Sequence, residues 1–328
     1  MTTRRHALLA ALAAPLAPSL RPGPALAQGG AWPQRPIRLI VPFAAGGAAD
    51  SAARLIAPRL GEALGQTVVV ENRTGGSGAN GGAVVAQAQP DGYTVMLDAS
   101  SHIVNPSLLR GLAFDYATAF APISLVTTFP QVIAVKRDLP AQDLAAFIAL
   151  AKQRPGALSV GTQGNATAGH MALARFQALA GVELTHVPYR GGADAARDLA
   201  AGTVDAACIT MLSAGPVVDS GRARFLGVAT AKRVEVRPDV PTFAELGLRG
   251  FEVSEWVGLF APAGTPQAVQ ERLHAGVVAA LANAEVRARL DQIVAVPVGS
   301  SPADFARFVT EGRESMAVLI REAGIRVD

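Results

Sequence analysis

The chain repeats one local pattern, in which an apolar strand ends at a turn rich in glycine and a helix follows directly. The pattern occurs at "VPFAAGGAAD" (41–50), at "SVGTQGNATAGH" (159–170) and at "HVPYRGGADAA" (186–196). An unbroken apolar strand such as "IRLIVPF" is typical of a sheet that is covered on both faces. Strands alternating with helices in this way predict an α/β fold with parallel sheets.

Two long extended segments, 123–135 and 225–231, bracket a middle set of strands and helices. The simplest interpretation is that both segments cross between two lobes and act as hinges. Lobe 1 then contains residues 28–127 and 229–328, and lobe 2 contains residues 128–228. Two-lobed α/β proteins of this kind bind ligands in the cleft, at the carboxyl ends of strands.

The first 27 residues predict an export signal that is removed from the mature protein. Arg4 and Arg5 precede an apolar stretch, and "ALA" at 25–27 resembles a signal-peptidase site, so we expect cleavage before Gln28 and a periplasmic location. The stretch is too short, and too often broken by proline, to remain as a membrane anchor. The arginine pair fits either the general or the twin-arginine export route.

The mature chain is expected to carry no net charge. Removal of residues 1–27 takes away three of the 29 basic residues and none of the 26 acidic ones. This balance favours neither nucleic acid nor an anionic membrane as a partner. Cys208 is the only cysteine, which excludes an intrachain disulfide and a zinc cluster of cysteines. We expect a monomer.

The turns have the chemistry of an anion site. Where a helix starts, unpaired amide N–H groups and the helix dipole favour negative charge. Gly46 and Gly47 allow close approach of the backbone, and Asp50 is suited to cap the helix. A hydrogen bond to a charged group contributes about 1.5–3 kcal/mol and a micromolar ligand needs about 8 kcal/mol, so three or four amides suffice for a carboxylate. Each turn alone also has an ordinary interpretation as a tight turn and a helix cap.

Other candidate residues leave alternatives open. Tyr189 is suited to point its hydroxyl into the cleft or to be an ordinary, partly buried tyrosine. Asp205 is suited to receive an amino or hydroxyl group or to form a turn. His170 fits packing or capping better than general-base catalysis, and the histidines have no spacing typical of a metal site. We therefore predict no catalytic residue, no metal and no cofactor.

One glycine-rich segment supports a different class of protein. "GSGANG" at 76–81 matches the dinucleotide fingerprint GxGxxG, follows a strand and precedes Asp98. An exported NAD-dependent oxidoreductase is therefore the alternative. A lone match of this kind is weak, because it starts several residues after the strand instead of at its end.

A series of longer motifs resembles one known family. The motifs are "PQRPIRLIVPFAAGGAAD", "GQTVVVENRTGGSGANGG", "PDGYTVML", "HVPYRGGADAARDLAAGTVDA", "RPDVPTFAELG" and "EWVGLFAPAGTP". Together they resemble the Bug family, periplasmic solute-binding receptors related to tripartite tricarboxylate transporters. The resemblance implies a type II periplasmic binding-protein fold, also called a Venus-flytrap fold. It also implies a carboxylate ligand, a membrane permease as partner and no catalysis.

The resemblance also implies contacts in the loop 43–50, at Ser100, in 161–167 and in 189–192. Two departures from the family pattern, Thr162 and the run 190–194, put ligand size and charge at the distal end in doubt. The family's ligands include di- and tricarboxylates, aromatic carboxylates and amino acids. We predict that amides near Ala44 and near Asn165 hold the anionic end. The full set of expected ligand-binding residues is Phe43, Ala44, Gly46, Gly47, Asp50, Ser100, Thr162, Asn165, Ala166, Thr167, Tyr189, Gly191 and Asp205.

Overall fold

The computed structural model describes residues 32–322 and 324–325. The predicted export signal, residues 1–27, lies outside the described residues. Across the described part of the chain, no helix combines the length and the apolar character that a membrane crossing requires.

Ten strands and ten helices alternate along this part of the chain. The strands are β1 (Ile37–Val41), β2 (Val68–Asn72), β3 (Thr94–Ala99), β4 (Phe120–Lys136), β5 (Ser159–Thr162), β6 (Thr185–Pro188), β7 (Ala206–Thr210), β8 (Ala223–Val228), β9 (Ser254–Pro262) and β10 (Val296–Pro297). The helices are α1 (Ala48–Leu64), α2 (Ala79–Ala86), α3 (Ser101–Leu108), α4 (Leu144–Gln153), α5 (Ala168–Ala180), α6 (Gly192–Ala200), α7 (Met211–Asp219), α8 (Gln267–Ala282), α9 (Ala284–Gln292) and α10 (Pro302–Glu322).

The strands form two parallel groups joined by two antiparallel strands. The order is β2-β1-β3-β9-β4-β7-β5-β6, with β8 and β10 also pairing with β4. Strands β1, β2 and β3 are mutually parallel, as are β5, β6 and β7. The predicted α/β fold with two lobes is therefore confirmed.

The long strand β4 belongs to both lobes. Residues 120–130 pair with β9 in lobe 1, and residues 131–136 pair with β7 and β8 in lobe 2. Its sequence, "FAPISLVTTFPQVIAVK", is rich in β-branched residues, which suit an extended strand. Pro130 lies opposite Ser254, where β9 begins, so its missing N–H falls at the end of that pairing.

The return path between the lobes is made by β9. The segment 229–253 packs on the core of lobe 2, where Phe243 and Phe251 join Phe147 and Phe176 in one buried cluster. The chain then enters lobe 1 at β9. We propose on this basis that lobe 2 extends to about residue 253 and that the second hinge lies at the start of β9, later than the segment 225–231 that the sequence indicated.

Candidate functional site

The register of the strands makes the carboxyl ends of the two parallel groups face each other. Strand β3 ends at Ala99, opposite Val257, which in turn pairs with Thr127 of β4. Strand β7 ends at Thr210, opposite Gln131 of β4. The two ends are therefore four positions apart along β4, a length of about 13 Å. This spacing is comparable to a small organic molecule, and the turns after β1, β3, β5, β6 and β7 follow the strand ends that face it.

The turn after β1 is exposed and leaves its helix uncapped. Gly46 has a φ of 81°, a left-handed conformation that favours glycine. Gly47, the N-cap of α1, has no side chain to accept from the first-turn amides. The N–H groups of Ala44 and Ala45 have no partner within the described chain. The first predicted turn therefore offers open amides to an anion, as expected.

Asp50 supports this turn from inside and does not cap α1. The Gly46 amide donates to Asp50 Oδ2 at 2.9 Å, Arg54 donates to the same oxygen at 3.0 Å, and Asn72 donates to Oδ1 at 2.8 Å. Burial acts to raise the pKa of the Asp50 carboxyl, but these hydrogen bonds together hold it below its usual value. Because both oxygens are engaged and the residue is buried, Asp50 positions the loop and does not face a ligand.

The turn after β5 contains a left-handed residue, as the first turn does, but some of its backbone amides have hydrogen-bond partners within the turn. Ala166 has a φ of 59°, in the same left-handed region as Gly46 of the first turn. Thr167 caps α5 by accepting from the His170 amide, and its hydroxyl donates to the Gly164 carbonyl at 2.8 Å. The Ala166 amide donates to His170 Nδ1 at 3.4 Å. The Ala166 amide therefore has a partner, but the Asn165 and Thr167 amides have none within the described chain.

The remaining residues of the second turn are directed away from an open site. The Thr162 hydroxyl is buried and lies 2.7 Å from His186 Nε2. The His170 and His186 rings stack with centroids 4.1 Å apart, and burial together with His186 lowers the pKa of His170 to about 4. His170 is therefore neutral and able to accept from the turn. Asn165 is exposed and lines a cavity of about 530 Å³ between α5 and the end of α10.

The turn after β5 packs against the core of lobe 1. The Ala166 side chain is fully buried in a hydrophobic cluster with Trp256, Phe260 and Phe305, and Met171 of α5 joins the same cluster. These three aromatic residues lie on β9 and α10. The two lobes therefore contact each other at this edge of the cleft.

The turn after β6 presents a second uncapped helix. Gly191, the N-cap of α6, provides no side-chain hydrogen bond. A side chain at Gly192 would overlap the Ser213 hydroxyl, so a glycine is needed where α6 and α7 start close together. The Tyr189 hydroxyl donates to Asp198 Oδ2 at 2.9 Å, and burial and Asp198 raise its pKa to about 12. This geometry fits the interpretation of Tyr189 as an ordinary, partly buried tyrosine.

Asp205 lies at the wrong end of the sheet to contact a ligand in the cleft. It precedes β7 and accepts from Ser159 N at 3.0 Å, at the start of β5. Lys136 Nζ lies 2.8 Å from its other oxygen. The carboxyl end of β7 at Thr210 is five residues further on, about 17 Å along the strand. This carboxylate joins the amino ends of β5 and β7, which favours the structural interpretation of Asp205 over the ligand contact.

Ser100 is placed at the cleft, and it leads to residues that the sequence analysis missed. It is the N-cap of α3, makes no side-chain cap, and donates from its amide to Glu255 Oε1 at 3.0 Å. Glu255 is buried on β9, and Gln131 is buried on β4. Gln163, after β5, completes this group. The sequence signal was available, because a charged residue at the start of the apolar strand "EWVGLF" is unusual without a partner.

The segment "GSGANG" forms a short turn and the start of α2. Its residues 76–78 form a single 3₁₀ turn, and Ser77 has a φ of 51°. The carbonyl of Ser77 accepts from Asn105 at 2.9 Å. A side chain at Gly81 would meet Pro42, and one at Gly78 would press on the Phe43 ring. The glycines are therefore explained by close packing against the turn after β1.

His102 and Cys208 are buried in the packed interior. No group of three or more His, Cys, Asp or Glu side chains suited to a metal ion occurs among the described residues. His102 is buried, lies 2.9 Å from Asp98 Oδ2 and stacks on Phe260. Burial raises the pKa of the Cys208 thiol to about 12, so it remains a thiol at neutral pH.

Two lobes joined by long hinge strands, with helix N-termini directed at the cleft between them, define a periplasmic solute-binding protein. A profile of the tripartite tricarboxylate transporter family receptor, TctC, matches residues 52–325. The chain belongs to this receptor family. Its members bind solutes and are not enzymes, so the oxidoreductase alternative is wrong.

Curated relatives and solved structures cover most of the chain. A Pseudomonas protein described as "UPF0065 protein in tcbD-tcbE intergenic region" is 39% identical over 295 residues, 89% of this chain and 88% of its own. BugT of Bordetella pertussis is 33% identical over 298 residues, 90% of this chain and 91% of its own. The periplasmic binding protein BugD is 34% identical with a TM-score of 0.81, covering 90% of this chain and 99% of that structure.

Two similar structures from Rhodopseudomonas palustris contain small carboxylates. Rpa4515 with adipate is 37% identical with a TM-score of 0.83, over 90% of this chain and 99% of that one. MatC with bound malate is 33% identical with a TM-score of 0.79, over 88% of this chain and 100% of that one.

Proposed function

We propose that this receptor captures a small carboxylate between its two lobes and presents it to the permease of a tripartite tricarboxylate-type transporter. The observation that carries the proposal is the set of helix N-termini at the cleft that have no side-chain cap. Helices α1, α3 and α6 start after Gly47, Ser100 and Gly191, and none of these residues caps its helix with a side chain. The first-turn amides of α1 and α6 are therefore free to donate to an anion, whereas in α3 the Ile103 amide donates to the Ser100 carbonyl at 3.2 Å.

The other two helices at the cleft have their own caps. Thr167 caps α5, and Thr210 caps α7 by accepting from Ser213 N. The carboxylate head is therefore held chiefly by the turn after β1, with Ala44 and Ala45 donating, and by the starts of α3 and α6. About four such hydrogen bonds supply the free energy of a micromolar complex.

The carboxylate class agrees with the relatives. Adipate and malate occupy receptors that are 37% and 33% identical to this chain. The two ligands share only the carboxylate chemistry, so the proposal names that class and neither molecule. Delivery to a permease, export through removal of residues 1–27 and action as a monomer belong to the same proposal.

A variant that caps α1 tests the proposal. Gly47 has φ −76° and ψ 174°, the backbone of an ordinary N-cap, so Gly47→Asp fits without strain. The new carboxylate would occupy the amides that the ligand needs. We expect the unfolding temperature to be unchanged or higher, and affinity for succinate, malate, adipate and citrate to fall at least about tenfold in calorimetric titrations.

The control is Pro266→Asp. Pro266 is the exposed N-cap of α8, also without a side-chain cap, and α8 follows β9 at the opposite edge of the sheet from the cleft. The same charge there should leave binding unchanged. Undiminished binding by Gly47→Asp, or no binding of any carboxylate by the natural protein, would contradict the proposed function.

A further inference from the structure

Three buried polar side chains and one half-buried side chain lie where both lobes and the strands β4 and β9 come together. We call Ser100, Gln131, Gln163 and Glu255 the hinge cluster. Ser100 follows β3 in lobe 1, Gln163 follows β5 in lobe 2, and the other two lie on β4 and β9. Each segment reaches the floor of the cleft by the strand register described above.

The register fixes the relation between Gln131 and Glu255. Glu255 lies directly opposite Phe129 on the antiparallel pair β4–β9. Gln131 is two residues further along β4, so it projects from the same face as Phe129 and Glu255. Diagonal neighbours of this kind are about 7–8 Å apart, within reach of two long side chains and a small group between them.

One oxygen of Glu255 is held rigidly. Oε1 accepts from Ser100 N at 3.0 Å and from Trp256 N at 3.1 Å. The Ser100 hydroxyl and the Gln163 carboxamide lie near the carboxylate and favour its charged form, although burial raises the pKa of Glu255 overall. Oε2 accepts from no backbone amide within the described chain. Both backbone amides that hold the carboxylate therefore donate to Oε1.

Gln131 is the most deeply buried member of the hinge cluster. It is completely buried, and neither its amide oxygen nor its amide nitrogen has a partner among the described residues. A buried amide without hydrogen bonds is costly, so folding alone would favour an apolar residue at this position. Buried polar groups of this kind are instead typical of a site that a polar ligand completes.

We propose that Glu255 and Gln131 recognise a hydrogen-bond donor on the ligand, so that the receptor selects carboxylates bearing a hydroxyl or ammonium group over plain dicarboxylates. The inference rests on the proposed function, because it concerns the part of the same ligand that lies beyond the carboxylate head. Oε2 of Glu255 accepts the donor, and the Gln131 carboxamide both donates and accepts. A second carboxylate in this place would face a like charge inside the protein.

The test uses matched probes on the purified full-length mature receptor. Calorimetric titrations compare succinate with malate and aspartate, and glutarate with 2-hydroxyglutarate and glutamate. In each series we expect a substituted acid to bind at least about tenfold more tightly than the plain one, because a charge-assisted hydrogen bond is gained. Glu255→Gln should reduce this ratio to less than about threefold.

Two further variants complete the experiment. Gln131→Met keeps the length of the side chain and removes its polar atoms, and it should also reduce the ratio. Glu252→Gln, at an exposed position just before β9, should leave the ratio unchanged. Thermal unfolding of each variant checks that it is folded.

The outcomes separate the two proposals. Equal binding of plain and substituted acids by the natural protein would overturn this inference and leave the proposed function standing. A ratio that survives in both Glu255→Gln and Gln131→Met would also overturn it. Failure of every probe to bind would overturn the proposed function and the inference together.

Discussion

At the scale of single residues, Gln131 is a position where the stability of the fold and the proposed ligand binding favour different side chains. Its carboxamide is buried at the centre of the molecule without a partner in the described chain, which a stability argument alone does not explain. Functional sites often retain such groups at a cost to the fold.

Gln131→Met should therefore stabilise the ligand-free receptor while weakening binding. Removing an unpaired buried amide and keeping its volume should raise the free energy of unfolding by about 1 kcal/mol. Urea unfolding with and without malate measures both effects. A lower free energy of unfolding for the ligand-free variant would mean that Gln131 is satisfied within the protein and has a structural role.

Asp50 and Asp205 show how the role of a residue depends on the direction of the strand next to it. Asp50 and Asp205 both lie at a junction of a strand and a helix, and both are held by hydrogen bonds. Asp50 follows β1 and supports the turn at the cleft, whereas Asp205 precedes β7 and lies at the opposite edge. The predicted helix cap at Asp50 is wrong, and the end of the strand decides which of the two aspartates lies near the cleft.

At the scale of elements, the helix caps decide where an anion binds. Five helices start at the cleft, and threonine caps two of them. Thr167 and Thr210 satisfy their own helices, whereas Gly47 and Gly191 cannot. The glycines of the strand–turn–helix pattern therefore have a second role besides backbone freedom. They leave the helix dipole and the first-turn amides available to an anion.

The edge strand β2 is joined to β1 by a paired charge. Arg38 donates twice to Glu71, at 2.8 and 3.0 Å, and these bonds, with Arg73, lower the pKa of Glu71 to about 2. Because this pKa is below the unfolded value of about 4.5, the pair stabilises the protein above about pH 4.5. The stabilisation is lost as the pH falls toward 2.

Glu71→Gln should remove this pH dependence. We expect the variant to be less stable than the natural protein by about 1 kcal/mol at pH 6, a small value because both side chains are partly exposed. The difference should shrink as the pH falls from 4.5 to 2.5, which urea unfolding at a series of pH values measures. Glu183→Gln, an exposed control, should give a curve parallel to that of the natural protein, and a parallel curve for Glu71→Gln would contradict the assignment.

At the scale of the whole molecule, the contact between the lobes depends on Ala166. This residue has a left-handed backbone and places its methyl group in the cluster around Trp256. Burial of a charge there would oppose the approach of the lobes. Since aspartate tolerates left-handed backbone, a substitution at this position should act on the contact and not on the turn.

Ala166→Asp should therefore favour an open receptor. We expect a larger radius of gyration in X-ray scattering, and affinity for the bound carboxylate at least about tenfold lower, because the closed state becomes rarer. Ala178→Asp, at an exposed position of α5, the helix that follows this turn, is the control. An unchanged radius and unchanged affinity would show that this contact does not govern closure.

The sequence by itself determined the elements, the fold class and the cleft edge. Apolar runs, glycine turns and helical spacing are local properties, so β1, β5, β6 and the helices after them were predictable. The tertiary structure alone decided which strand ends face each other, the position of Asp205 and the diagonal placement of Gln131 and Glu255. Those features depend on pairing between strands that are far apart in the chain, and the physical reason is that register and burial are set by the packed molecule.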